Sequence, residues 1–148
     1  MTDKTIPTPA EHLIIGIPSH PKYLHLMREM VKKVTAVTGM SKKETADIVL
    51  AVDEACANII KHGYKNQPCG TINLYFDIRQ TELHITIEDF GRQWDPANLP
   101  PRDLDKIRPG GLGIHIINCV MDCVEFDCSS STRNQVKMVK RFRPREKP

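Results

Sequence analysis

No stretch of the sequence approaches the roughly twenty consecutive apolar residues that a helix needs to cross a bilayer. The N-terminal residues MTDKTIPTPAEH lack a cationic start, an apolar segment and a small-residue cleavage site, so no secretory leader is read there and a cytoplasmic protein is expected. Aromatic residues make up 5% of the chain, with a single Trp. That leaves little to stack on bases, and direct nucleic-acid binding is not expected. The cysteines, Cys56, Cys69, Cys119, Cys123 and Cys128, are odd in number and contain no C-x-x-C pair, which argues against a disulfide framework or a zinc knuckle. Cys119 and Cys123 stand four apart, but no nearby histidine is expected to complete a tetrahedral site.

What remains is an ordinary globular composition: 148 residues, 26% charged and 40% hydrophobic. This length buries a core without staples, so one domain over 1–148 is expected, with its core at about 10–142 and a basic tail at 143–148. The net charge of +3 comes from the end of the chain, where KMVKRFRPREKP supplies Lys137, Lys140, Arg141, Arg143, Arg145 and Lys147. Without that segment the body is mildly acidic, and a short terminal charge run is read as solvated.

The periodicities predict a definite element order. His12–Ile17 is short, apolar and bounded by Pro18, as an edge strand is. From Pro21 to Thr38, Leu24, Met27, Val31 and Val34 recur at spacings of three and four, which predicts a helix ended by Gly39. Ser41 followed by Glu44 is a capping-box pattern opening a second long helix, for which Gly63 is the stop and Tyr64–Pro68 the following loop. Gly70–Arg79 and Glu82–Asp89 alternate around Gln80 and Thr81 as an antiparallel hairpin, with Ile72, Leu74, Phe76 and Ile78 on one face and Leu83, Ile85 and Ile87 on one face of its partner. His84 points away from that row. Arg92–Pro109 carries four prolines and weak signals, Gly110–Asp122 leads glycines into a helix, and Cys123–Ser129 and Gln135–Phe142 read as two more strands. This order predicts an α+β two-layer sandwich, with helices on one face of a mixed, mostly antiparallel sheet.

Three short motifs carry chemistry. Glu54 and Asn58 lie four residues apart, about 40° around a helix, opposite the apolar Val52, Ala55, Cys56, Ile59 and Ile60. A carboxylate there can accept a hydroxyl proton, and an amide oxygen is a hard ligand suited to Mg²⁺ on phosphates. Asp89-Phe90-Gly91 ends a strand, where the carboxylate can accept from an exocyclic amine and the glycine admits a ligand. Gly110-Gly111-Leu112-Gly113-Ile114 opens a helix, where free N–H groups and the helix dipole favour phosphate. GGLGIH lacks the G-K-[ST] ending of a P-loop, and no G-x-G-x-x-G is present. Another phosphate-binding design is needed.

E-x-x-x-N, D-x-G and G-G-L-G in this order resemble the GHKL (Bergerat-fold) ATPase superfamily, and LAVDEACANIIKHGY, IEDFGRQWDP and RPGGLGIHII are most similar to the anti-sigma-factor serine/threonine kinases within it. The resemblance implies that Glu54 is the general base, Asn58 the Mg²⁺ ligand and Asp89 the partner of the adenine amine. It places Gly91 beside the base, gives Gly110, Gly111, Leu112, Gly113 and Ile114 the phosphate end, puts Lys61 and His62 near the phosphates, and makes 92–109 a lid over ATP. It further implies a STAS-type anti-anti-sigma factor as substrate, a sigma factor as second partner, and pairing of two copies through the first strand and helix. Two positions depart from the family: Gln93 stands where a second glycine follows D-x-G, and a threonine before the last strand is replaced around Asn134 and Gln135. The residues alone leave two alternatives open, a nucleotide-regulated binding module without transfer and a detached histidine-kinase-like ATPase domain, for which His25 on the first helix is a candidate acceptor.

Overall fold

A computed structural model describes residues 11–93 and 112–143, with Leu112 in its backbone only. The expected lid beyond Gln93, Gly110, Gly111 and the end of the basic tail lie outside the described residues.

The first strand, β1 (Glu11–Pro18), is followed by a 3-10 turn at Pro21–Tyr23 and helix α1 (Leu24–Thr38). Gly39, at φ 77°, ends α1 in the left-handed conformation. Three residues later α2 (Lys42–Asn58) begins, because both halves of the capping box form: Glu44 N–H donates to Ser41 Oγ at 3.1 Å, and Ser41 N–H donates to Glu44 Oε2 at 2.9 Å. Such a cap contributes about 1 kcal/mol and fixes the corner between the helices. Then come β2 (Thr71–Ile78), β3 (Glu82–Asp89), α3 (Leu112–Val120), β4 (Cys123–Asp127) and β5 (Asn134–Arg141). Among the described residues, no helix is long and apolar enough to cross a membrane.

The strands form one sheet in the order β1-β2-β3-β5-β4. All four pairings are antiparallel, so the expected mostly antiparallel sheet is antiparallel throughout its described strands. β1 lies at an edge, which suits the proline at its end. The predicted register holds: Ile72, Leu74 and Phe76 of β2 and Leu83, Ile85 and Ile87 of β3 are buried together with Val136 and Met138 of β5. Their cover comes from Met27, Val31 and Val34 of α1 and from Ile48, Val52 and Cys56 of α2 in the same core. Burial drives the Cys56 thiol pKa far up and leaves it inert.

The second helix does not run straight to Gly63 as the sequence predicts. After Asn58 it widens into a π turn, Ile59–Gly63, with Tyr64 N–H donating to Ile59 O at 2.9 Å. The two following residues, Lys65 and Asn66, take positive φ of 51° and 62°. Single π turns inside helices occur frequently at functional sites.

The other sheet face carries polar chemistry of its own. Glu88, 7% exposed, accepts from Asn73 Nδ2, Tyr75 OH and Gln135 Nε2 at 3.3, 3.1 and 2.9 Å. His84, on this face as its direction away from the apolar row predicts, is half-buried and lies 2.7 Å from Glu82 Oε2.

Candidate functional site

Alternation along β3 explains where Asp89 sits. Leu83, Ile85 and Ile87 face the helices, and two residues on, the same face receives a carboxylate at the very end of the strand. Asp89 is fully buried. Its Oδ1 accepts from Gly91 N–H at 2.9 Å and from Asn134 Nδ2 at 3.2 Å, while Oδ2 is buried without a hydrogen-bond partner. Burial pushes the Asp89 carboxyl above the usual carboxylate range, against the lowering by Asn134 and Gly91. A buried acceptor left unsatisfied costs about 1–3 kcal/mol, and a donor supplied by a ligand removes that cost. The exocyclic amine of adenine is such a donor.

Two close approaches define the walls. A Cβ on Gly91 would lie 2.5 Å from Gly63 O, so the turn after Asp89 fits against the π turn only as glycine. The same contact is closed by Arg92 N–H, which donates to Gly63 O at 2.8 Å. At the other end, a Cβ on Gly113 would lie 2.6 Å from Glu54 Oε2 and 3.2 Å from Asn58 Nδ2. The first turn of α3 therefore rests on the Glu54–Asn58 stripe, and the positive end of its dipole faces the Glu54 carboxylate.

Of the predicted residues, the structure brings together Glu54, Asn58 and Gly113 as one group, and Asp89, Gly91 and the Gly63 backbone as another. α2 and its π turn connect the two. Ile114 lies half-buried in the first turn of α3. Lys61 and His62 face solvent from the π turn and are not drawn into either group. Gly110 and Gly111 fall outside the described residues, and of Leu112 only its position opening α3 is described. A surface groove of about 860 Å³ between α1 and α2, lined by Lys32, Ala36, Met40, Val49 and Leu50 among others, includes none of these residues. The chemistry-bearing groups and the orphaned acceptor mark the site better than that groove does.

One side chain that the sequence flagged only as a departure has a defined place. Asn134 opens β5 directly opposite Asp89, is fully buried, and donates through Nδ2 to Asp89 Oδ1 and to Arg92 O at 3.0 Å. It ties the carboxylate to the start of the next segment. Cys119 has a histidine beside it, His115, whose Nε2 lies 3.3 Å from Cys119 Sγ one helical turn away on α3. Among the described residues no group of three potential ligands gathers there or elsewhere.

The set fits an adenine nucleotide and its metal: an unpartnered buried acceptor at one end, a carboxylate and an amide on one helix face at the other, and glycines where the backbone must come close. Comparison with known proteins supports the nucleotide part of this fit. The model of the histidine kinase-like ATPase domain matches residues 17–140. The serine-protein kinase RsbW of Bacillus subtilis (strain 168) is 26% identical over 121 residues, covering 76% of this chain and 76% of the relative. Its counterpart in Staphylococcus aureus (strain Newman) is 33% identical over 135 residues, covering 84% and 85%. A solved structure of RsbU and RsbW domains from Mycobacterium tuberculosis superposes with a TM-score of 0.67 at 17% identity, covering 92% of this chain and 33% of that one. The blue-light activated histidine kinase of Erythrobacter litoralis gives 0.56 at 18% identity, covering 84% and 42%. At those identities the two structures speak for the fold.

Proposed function

This chain belongs to the histidine kinase-like ATPase domain family, and on that premise we propose that it is an Mg-ATP-dependent serine/threonine protein kinase acting as an anti-sigma regulator. Its substrate is a serine or threonine of a STAS-type anti-anti-sigma factor, and its second partner is a sigma factor that it sequesters. Two copies pair through the β1 edge and the α1 face, and the protein works in the cytoplasm.

The observation that carries the nucleotide reading is the unpartnered Oδ2 of buried Asp89, a base-recognition acceptor waiting for a donor. The transfer reading rests on Glu54. Held on α2 within reach of the first turn of α3, it can take the proton of the incoming hydroxyl as the hydroxyl oxygen bonds to the γ-phosphorus and the bond to the β–γ bridging oxygen breaks, releasing ADP. Asn58 would hold Mg²⁺ through its amide oxygen, and the ion supplies charge neutralisation on the phosphates. The glycine-opened N-terminus of α3 favours the phosphate end, and Lys61 and His62 on the π turn would supply further hydrogen-bond donors to the phosphates on turning inward.

Radiolabelled ATP, Mg²⁺ and a purified STAS-domain anti-anti-sigma factor test the proposal. Acid-stable label on a serine or threonine is expected. Acid-labile label would support a histidine-kinase-like ATPase, and absence of label with intact nucleotide binding would leave a binding module in place of a kinase.

A further inference from the structure

Tyr64 belongs to none of the three motifs, and the sequence places it in a loop. Its phenol hydroxyl instead joins two distant segments: it donates to Thr71 O at 2.7 Å and accepts from Phe90 N–H at 2.9 Å. The ring is seated on Gly70, where a Cβ would collide with it. Phe90 is 52% exposed, so without Tyr64 its N–H would be left to water at a surface turn.

The bond to Phe90 bears on the residue before it. It fixes the peptide plane that leaves Asp89. One residue further, Gly91 N–H fixes the Asp89 carboxylate through Oδ1, a side-chain turn that holds only while the intervening peptide is held. The direction left to Oδ2 follows from both. The other end of this turn is tied to the same stretch of chain, since Arg92 N–H donates to Gly63 O. The π turn places Gly63 and Tyr64 together under the Asp89–Arg92 segment, and Asn66 N–H, in the left-handed pair that follows, donates back to Ile60 O at 2.8 Å.

We infer that Tyr64 is a positioning residue for base recognition: through Phe90 and Asp89 it aims the free carboxylate oxygen, and thereby sets the preference for an adenine over a base with a 6-oxo group. The inference rests on the nucleotide reading given above. It assigns the π turn a purpose, which is to bring a hydroxyl under the strand end that a regular helix would carry past it.

The test is Tyr64→Phe in the full chain, which removes one oxygen and keeps the ring on Gly70. Affinities for Mg-ATP, Mg-GTP and tripolyphosphate are measured by calorimetry for both proteins. About a tenfold loss on ATP is expected, with GTP and tripolyphosphate unchanged, so the ATP-to-GTP ratio falls by the same factor. An unchanged ratio, or an equal loss on all three, overturns the inference, since a merely structural tyrosine would weaken every ligand alike. If the wild-type protein binds no ATP, the nucleotide reading falls and the inference with it; if the wild type binds and Tyr64→Phe binds with the same preference, the inference alone falls. Should the variant not fold, hydrogen exchange on the ligand-free wild type decides: slow exchange at the Phe90 amide supports the strut, and exchange as fast as at open loop positions overturns it.

Discussion

Glu88 and Asp89 are consecutive carboxylates held on opposite sides of one strand, and their surroundings drive their acidities in opposite directions. For Glu88, burial works against the charge, but the bonds from Gln135, Asn73 and Tyr75 outweigh it and hold the carboxyl below the usual range. For Asp89 burial wins, and the carboxyl lies above it. One residue strengthens the sheet; the other is a cost that a ligand can relieve.

Asp89→Asn separates that cost from its use. The amide is isosteric and uncharged, so the folded protein no longer buries a charge. Because the folded-state pKa of Asp89 is raised, wild-type stability falls as pH rises from the ordinary carboxylate range through the raised value, and the variant lacks this fall. The melting temperature at pH 7 is expected to rise by a few degrees, while ATP affinity drops about 10- to 100-fold because an N–H₂ replaces the free acceptor. Thermal melts against pH and a nucleotide titration check both halves.

Glu88→Gln is expected to behave in the reverse sense. A lowered folded-state pKa contributes stability that is present above the ordinary glutamate value of about 4.3 and is lost as pH falls through the folded value. The variant should melt several degrees lower at pH 7, with the gap to wild type closing as pH falls below the ordinary glutamate range. Nucleotide affinity should hardly change, since Glu88 faces away from the site.

Glu54→Gln and Asn58→Ala divide binding from transfer. The first should leave Mg-ATP binding within about threefold and lower phosphoryl transfer by about 10²- to 10⁴-fold, the usual weight of a general base. The second should abolish the Mg²⁺ dependence of nucleotide binding. Titrations with and without Mg²⁺, alongside labelling of the protein substrate, read out each.

Gly113→Ala addresses the contact between α3 and the Glu54–Asn58 stripe. The added methyl would meet Glu54 Oε2 at 2.6 Å, and that flexible carboxylate end is what yields. Alanine is the better helix former by roughly 0.5–1 kcal/mol, so stability should not fall. Transfer should fall by about 10²-fold, because a general base displaced by about 1 Å loses its alignment. A drop in melting temperature without loss of transfer would contradict this placement.

Most of the fold was legible because burial here follows simple periods. The alternation of Ile72, Leu74 and Phe76, and of Leu83, Ile85 and Ile87, fixed the strand faces, and Ser41 with Glu44 marked the start of α2. Even Asp89 left a trace: it continues the apolar row of β3, and a carboxylate on a buried row signals a site. The π turn left none, since IIKHG carries no pattern that distinguishes it from a last α-helical turn. Tyr64 and Asn134 escaped a functional reading because their partners are set by long-range register, with 45 residues separating Asn134 from Asp89. Gly113 on Glu54 depends on how two helices pack, which neither helix states alone.

The position of β5 between β3 and β4 also orders the events of synthesis. When Asp89 leaves the ribosome, one flank of its strand can pair with β2 at once, but the other stays bare until residues 134–141 have been made. A nascent chain therefore has no finished place for a base over about the next forty-five residues of translation. The Asp89 carboxylate thus meets its Asn134 partner only once β5 has taken its place beside β3.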